Sequence, residues 1–153
     1  MTGYYYDEFE VGRVFKHAIR RTVTETDNVL FSTMTHNPAP LHIDHEYMRT
    51  QSEFGKPLMN SFFTLGLIVG ISINDTTLGT TVANLGLDEV RFPAPLFVGD
   101  TVHVETEVVA MRPSASRPRN GILTLEHRGY SQHDVLVAVC RRNVLMLRKP
   151  EPT

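Results

Sequence analysis

The chain has 153 residues, of which 41% are hydrophobic and 21% are charged. These values are typical of a globular protein and argue against disorder, a collagen-like repeat or a coiled coil. They predict one domain over residues 1–153, since this length suffices for one core but not comfortably for two. The formal net charge of -2 gives no excess of lysine and arginine with which to bind nucleic acid or an anionic membrane.

Cys140 is the only cysteine, so the chain cannot form an internal disulfide. A lone thiol is typical of a reducing compartment, and we therefore expect a cytoplasmic protein. The sequence lacks a basic leader followed by an apolar run, and it lacks 18 consecutive apolar residues. Neither secretion nor a membrane span is expected.

The first predicted elements are a strand and a short helix. Residues Val14 to Val23 mix β-branched and basic side chains, which favours a strand. Thr24 and Asp27 have the spacing of a capping box, so a helix should begin there. Its predicted apolar stripe consists of Leu30, Phe31 and Met34.

The stretch THNPAPLHID, from Thr35 to Asp44, follows that helix. Its two prolines lack an N–H group and restrict the residue before them, which predicts a stiff, irregular loop. Asp44 is a suitable N-cap for a second short helix with the sequence HEYMRTQ.

A central helix is predicted from about Asn60 to Asn74, with Asn60 or Ser61 as its N-cap. This run is apolar on all sides at a period of 3.6 residues, so we expect other structure to wrap it completely. About four antiparallel strands should follow Thr80, since TVHVETEVV alternates cleanly and SQHD is a suitable hairpin turn. The order is typical of an α+β fold in which a sheet curls around one helix, with an edge that a second copy could cover.

His42 is the first candidate for chemistry, because histidine is the side chain that titrates near neutral pH without help. Asn37 could hold a water or a carbonyl group, and Asp44 could orient the imidazole or simply cap the next helix. The alternative is that His42 is an ordinary surface or core histidine. The sequence has no metal-binding histidine motif and no glycine-rich phosphate loop.

A second candidate is the segment MRPSASRPRNG, which contains Arg112, Arg117 and Arg119. Three guanidinium groups on one loop could bind a phosphate or a carboxylate. An ordinary solvated hairpin connection explains the same composition equally well.

Three segments, FSTMTHNPAPLHID, EFGKPLMNSFFTLGL and VRFPAPLFVGDTVHVETEV, resemble the MaoC-like dehydratases, a family that includes (R)-specific enoyl-CoA hydratases. His42 and Asp44 occupy the family's His and Asp positions, whereas Asn37 replaces its catalytic Asp. Asn60 and Ser61 replace the His and Gly that open the family's central helix. Ala39 stands in place of the family's Asn, and GDT at Gly99–Thr101 is unchanged.

The resemblance implies a hot-dog fold, a homodimer or a dimer of dimers, and no cofactor besides the CoA of the substrate. In the family, Asp and His hold a water that adds to a 2-enoyl-CoA, and a backbone N–H at the start of the central helix stabilises the enolate. Here His42 would carry the proton, Asn37 would position the water, Asp44 would support His42, and Ser61 would offer its N–H. Asn60 would lie beside the substrate.

The segment from Pro57 to Thr101 is similar to a subgroup linked to itaconyl-CoA and mesaconyl-CoA hydration. Such dicarboxylic substrates call for a cation, and Arg91, Arg117 and Arg119 are the candidates. Two rival functions are a hot-dog thioesterase and a non-catalytic acyl-CoA-binding or partner subunit. The first is disfavoured because the run from Phe62 to Ile73 contains no carboxylate.

Overall fold

The computed structural model describes residues 3–151. A 3-10 turn at Tyr6–Glu8 precedes strands β1 (Val14–Lys16) and β2 (Arg21–Thr22) and helices α1 (Glu25–Met34), α2 (Pro40–Ile43), α3 (His45–Gln51) and α4 (Ser61–Thr76). The long strands follow as β3 (Thr81–Arg91), β4 (Thr101–Pro113), β5 (Asn120–Tyr130) and β6 (Leu136–Leu147).

The strands form one antiparallel sheet in the order β1-β4-β5-β6-β3, and β2 pairs with the start of β4. The α+β prediction and the four strands after Thr80 are confirmed. β4 alternates as predicted, with Val102, Val104, Thr106 and Val108 buried on the inner face. β3 lies at the edge of the sheet and pairs only with β6 among the described residues.

The core lies between α4 and the inner face of the sheet. Ile68 is fully buried at the centre of α4, and burial of such a side chain contributes about 1.5–3 kcal/mol. Gly129 of β5 faces it, and a Cβ at this glycine would come within 2.5 Å of the Ile68 Cγ2. The helix and the sheet can therefore approach this closely because residue 129 has no side chain.

The expectation that other structure wraps α4 completely is wrong. Phe62 is 72% exposed, and Gly66 and Gly70 are also exposed. The sheet covers only one side of the helix, which leaves on the other side an apolar groove of about 450 Å³. The groove is lined by Ile19, Arg21, Phe31, Phe63, Gly66, Leu67, Gly70 and Ile71.

Two other details differ from the predictions. The first strand is split into β1 and β2, because the chain leaves the sheet between them. Two of the three residues in the apolar stripe predicted for α1 are exposed, Leu30 by 56% and Met34 by 79%, whereas Asn28 and Ser32 are fully buried. Phe31, the third, packs against Phe63 of α4. Hydrogen bonding to buried backbone groups, described below, decides which side of α1 faces inward.

The capping box of α1 is confirmed. The Thr24 hydroxyl accepts from the Asp27 N–H at 3.2 Å, and the Asp27 carboxylate accepts from the Thr24 N–H at 2.7 Å. Arg21 donates two hydrogen bonds to the same carboxylate, which lowers the pKa of Asp27 to about 2. Within residues 3–151, no helix is both long enough and apolar enough to cross a membrane.

Candidate active site

The loop between α1 and α3 is more regular than predicted. His36 ends α1 with a positive φ of 54°, and Pro40 begins the helical turn α2, where its missing N–H costs nothing. The Asn37 side-chain oxygen accepts a hydrogen bond from the Ala39 N–H at 3.1 Å. Asn37 therefore shapes the loop through its oxygen and keeps its NH₂ group for other partners.

His42 lies in α2 and is half-buried. Its Nδ1 donates to the Leu58 carbonyl at 2.9 Å, since a carbonyl oxygen can only accept. In the neutral ring, this bond places the proton on Nδ1 and leaves the lone pair of Nε2 free to accept a proton.

Asp44 does not make the contact with His42 that the resemblance implied. Its carboxylate accepts from the Tyr47 N–H at 2.8 Å and caps α3, which confirms the N-cap prediction. The Leu58 carbonyl, not Asp44, holds the His42 ring. Asp44 therefore belongs to the scaffold of the loop.

Asn28 of α1, which was not among the predicted site residues, fixes the position of this loop. Its side-chain NH₂ donates to the carbonyls of His42 at 2.7 Å and Leu58 at 2.9 Å, and its oxygen accepts from the Asn60 N–H at 2.8 Å. One fully buried amide thus joins the His42 turn, the segment before α4 and the first turn of α4. The available signal was the spacing of Asn28 and Ser32, which places two small polar residues on one helix face.

The N-terminus of α4 is formed by Asn60 and Ser61. Asn60 is the N-cap, and its side-chain oxygen accepts from the Phe62 N–H at 3.0 Å. Ser61 is the first helical residue and is exposed, and no protein acceptor within residues 3–151 pairs with its N–H. An unpaired N–H at the positive end of a helix dipole is suited to bind a developing negative charge.

Ser61 and Thr64 face a cleft of about 280 Å³ at this end of α4. The wall opposite is formed by the segment that follows β3, namely Phe92, Pro93, Ala94, Pro95 and Leu96. Leu58, whose carbonyl holds His42, also lines the cleft. Arg91 is the last residue of β3 and adjoins this wall.

The structure brings together Asn37, His42, Asn60 and Ser61. Asn37 joins this group through Ser32, whose carbonyl accepts from the Asn37 N–H at 2.8 Å and whose hydroxyl accepts from the Asn60 side chain at 3.4 Å. The candidate site is therefore a loop and a helix N-terminus held together by buried side chains of α1.

Arg117 and Arg119 do not join this group in the same chain. Both lie in the exposed connection between β4 and β5, where the Arg119 carbonyl accepts from the Arg148 N–H after β6. That region adjoins the C-terminal end of α4, and a helix of 16 residues is about 24 Å long. Of the three predicted cations, only Arg91 is near the cleft. No group of three or more potential metal-ligating side chains occurs in the described part of the chain.

A sheet that partly wraps one long helix, with a loop that presents a histidine at the helix N-terminus, defines a hot-dog domain of the dehydratase type. The chain belongs to the MaoC like domain family, whose sequence profile matches residues 8–130. The resemblance predicted from the three motifs is thereby confirmed.

The chain is 26% identical to a mesaconyl-CoA hydratase of Cereibacter sphaeroides over 99% of its own length and 45% of that protein. It superposes with a TM-score of 0.86 and 28% identity on a monoamine oxidase regulatory protein from Archaeoglobus fulgidus, covering 97% of each chain. It also matches a Mycobacterium tuberculosis protein with a double hotdog fold, with a TM-score of 0.86 and 25% identity over 99% of this chain and 46% of that one. The chain spans less than half the length of the curated relatives it matches along its whole length.

Proposed function

We propose that this chain is a reversible hydratase of short 2-enoyl-CoA esters, and that its substrate carries a second carboxylate, as itaconyl-CoA and mesaconyl-CoA do. The observation that carries the proposal is the bond between His42 Nδ1 and the Leu58 carbonyl, which leaves Nε2 free to act as a base, and Leu58 lines the cleft that Ser61 faces. The family and the mesaconyl-CoA hydratase relative support the same reaction class.

In the proposed reaction, His42 Nε2 takes a proton from a water molecule, and the hydroxide adds to the β-carbon of the enoyl group. The thioester oxygen becomes an enolate, which the Ser61 N–H stabilises by a hydrogen bond. His42 then returns the proton to the α-carbon on the same face, so the product has gained one water and the imidazole is neutral again. The NH₂ group of Asn37 donates to the attacking water and positions it.

No separate cofactor takes part in this proposal, since CoA enters as part of the substrate. Arg91 is the proposed partner of the second carboxylate, because β3 delivers it to the wall of the cleft. A guanidinium group binds a carboxylate with two parallel hydrogen bonds, which gives direction as well as affinity.

We also propose that the functional unit is a homodimer or a dimer of dimers, in which the β3 edges of two copies pair. The exposed apolar residues of β3 are arranged symmetrically around Gly86, with Leu85 and Leu87 one step away and Val82 and Val90 four steps away. Antiparallel self-pairing at Gly86 would set Leu85 against Leu87 and Val82 against Val90. Relatives about twice as long, one with a double hotdog fold, support a need for two such units.

This pairing would also bring Arg117 of one copy towards the cleft of the other. Arg117 lines the same surface depression as Val82 and Leu85, at the N-terminal half of β3. In the antiparallel pair, that half lies beside the C-terminal half of the other β3, which ends at Arg91. Leu85→Lys should convert the dimer to a monomer in light scattering, because two like charges would approach across the axis. A wild-type chain that is monomeric at millimolar concentration would contradict the pairing.

The test of the proposed activity is the His42→Gln variant, assayed by mass spectrometry for gain or loss of one water on a panel of C4 to C6 enoyl-CoA esters. Loss of a general acid and base is expected to lower the rate by about 10²–10⁴-fold. His133→Gln is the matched control, because His133 is exposed and lies in the turn between β5 and β6. Full activity of His42→Gln, or release of free CoA instead of hydration, would contradict the proposal. Binding of the ester without turnover by the wild-type chain would favour a non-catalytic subunit.

A further inference from the structure

A chain of buried polar side chains crosses the core beneath the C-terminal half of α4, and the proposed reaction does not use it. Asp75 of α4 is half-exposed and lies 3.0 Å from Nδ1 of His17, whose side chain is fully buried. His17 Nε2 lies 2.8 Å from the Thr106 hydroxyl of β4, and this hydroxyl lies 3.0 Å from Nδ1 of His127 in β5. Thr106 and His127 are fully buried.

The direction of every hydrogen bond in this chain follows from its end at Asp75. An ionised carboxylate only accepts, so His17 Nδ1 must carry a proton and donate it. In the neutral ring, His17 Nε2 is then an acceptor, and the Thr106 hydroxyl must donate to it. A hydroxyl has a single proton, so its oxygen accepts from His127, and Nδ1 of His127 must carry the proton. Both rings therefore adopt the Nδ1–H tautomer.

The charge of a buried cation, Arg142, acts on the inner end of the chain at His127. The Nε2 of His127 is buried without a protein hydrogen-bond partner in residues 3–151, and so is the Nε of Arg142 in β6. Arg142 is 4% exposed, and no carboxylate lies within 4.0 Å of it among the described residues. Within residues 3–151, its one side-chain hydrogen bond runs to the Thr77 hydroxyl at 3.4 Å. A nearby positive charge favours an unprotonated His127 Nε2, which presents its lone pair, over a protonated one.

The ionisable groups around the chain come from three elements. α4 contributes Asp75, β5 contributes His127, and β6 contributes Arg142 together with the fully buried thiol of Cys140, which pairs with His127 across the strands. β4 contributes only the uncharged Thr106. Burial and the charge of Arg142 hold the pKa of His127 well below its usual value, so the His127 ring stays neutral.

We propose that Asp75, His17, Thr106 and His127 form one proton-switched relay, in which uptake of a single proton by His17 reverses the Thr106 hydroxyl and moves the His127 proton from Nδ1 to Nε2. Protonated His17 has N–H groups on both nitrogens, so Nε2 donates to the Thr106 oxygen. Among these groups the hydroxyl proton then has only His127 Nδ1 as an acceptor, so this nitrogen gives up its own proton and accepts. The relay holds three protons before the switch and four after it, and His127 stays neutral throughout.

The switch changes what the buried end presents. Before it, His127 Nε2 is an acceptor under the influence of the Arg142 charge, and after it the same nitrogen is a donor that this charge disfavours. The charge state of a half-exposed carboxylate and its histidine is thus transmitted to the far side of the core. This relay lies away from the Ser61 end of α4 and does not depend on the proposed hydratase activity.

The test is ¹⁵N NMR of the histidine rings in the full-length protein, recorded between about pH 8 and pH 5, the range in which histidine normally titrates. At the upper end, His17 and His127 should both carry the proton on Nδ1, the tautomer that free histidine populates less in water. As His17 gains its second proton, the His127 proton should move to Nε2 with the same midpoint. An Nε2 proton on His127 at the upper end, or a His127 tautomer that stays constant while His17 titrates, would overturn the proposal.

Two variants separate the relay from ordinary packing. Thr106→Ser keeps the hydroxyl and should keep the coupled midpoints, whereas Thr106→Val should uncouple the two rings. Asp75→Asn changes a half-exposed residue and should fold normally, so it remains informative if Thr106→Val does not fold. Without the carboxylate, the His127 midpoint should move to lower pH by about one unit or more. An unchanged midpoint in Asp75→Asn would contradict the relay.

Discussion

Two buried polar networks lie at opposite ends of α4, and they differ in how they are satisfied. At the N-terminal end, the Asn28 side chain binds three backbone groups, none of which titrates. At the C-terminal end, the network includes side chains that ionise, and in the described part of the chain His127 and Arg142 each keep a nitrogen without a protein partner.

Because of this difference, only the C-terminal network can change its hydrogen bonds when a proton binds. Backbone carbonyls and N–H groups do not titrate, so the Asn28 network holds the His42 turn in the same place at any pH at which the protein folds. A network of histidines responds to each proton that binds. The candidate site is thus built on the network that pH does not alter.

The largest expected effect comes from breaking the Asn28 network. Asn28→Leu leaves the carbonyls of His42 and Leu58 and the Asn60 N–H without their partner, and each buried unpaired group costs about 1–3 kcal/mol. We expect the free energy of unfolding, measured in urea, to fall by about 3–5 kcal/mol. Activity should fall as well, because the His42 turn is then held only by the Leu58 contacts.

The control for this variant is Asn74→Leu, which removes an exposed asparagine from α4 and should change stability by about 0.5 kcal/mol or less. A similar loss in both variants would show that the Asn28 hydrogen bonds do not set the stability of this end of the molecule.

The second effect is a dependence of the free energy of unfolding on pH, which we expect from the C-terminal network and not from the Asn28 network. Residue 127 binds a proton near pH 6.5 in the unfolded chain, whereas burial prevents this in the native state. Below that pH the unfolded state therefore binds more protons, and stability falls as the pH falls, by about 1.4 kcal/mol per unit for one group. Urea unfolding of the wild type should show this additional slope relative to His127→Gln.

His133→Gln should leave the slope as it is in the wild type, because His133 is exposed. Equal slopes in the wild type and in His127→Gln would mean that His127 binds a proton in the native state. The same result would contradict the statement that the two networks differ in their response to pH.

The sequence predicted the fold and the helix caps that flank the candidate site, because both depend on local patterns. The alternation in β4, the capping box at Thr24 and the caps supplied by Asp44 and Asn60 are all set by residues close in the chain. Recognition of the family then followed from three short motifs.

The missing parts are contacts between residues far apart in sequence. Asn28 and Asn60 are 32 positions apart, and His17 and Thr106 are 89 positions apart. No periodicity connects such pairs, and tertiary hydrogen bonding overrode the apolar stripe predicted for α1. The exposed side of α4 escaped prediction for a related reason, since composition shows that a helix is apolar but not how far a sheet curls around it.

The smallest expected effect tests that reversal of α1 directly. Met34→Gln changes an apolar residue that the sequence assigned to the core and that is 79% exposed, so stability should change by about 0.5 kcal/mol or less. Ser32 is two positions away on the same helix and is fully buried, with its hydroxyl near the Asn60 side chain and its carbonyl bound to Asn37. Ser32→Val should therefore cost more than Met34→Gln, although it makes the helix more apolar on the inner face. Urea unfolding of both variants at low protein concentration gives the two losses in free energy of unfolding. A larger loss in Met34→Gln than in Ser32→Val would mean that the apolar stripe of α1 is buried and that its polar face is exposed.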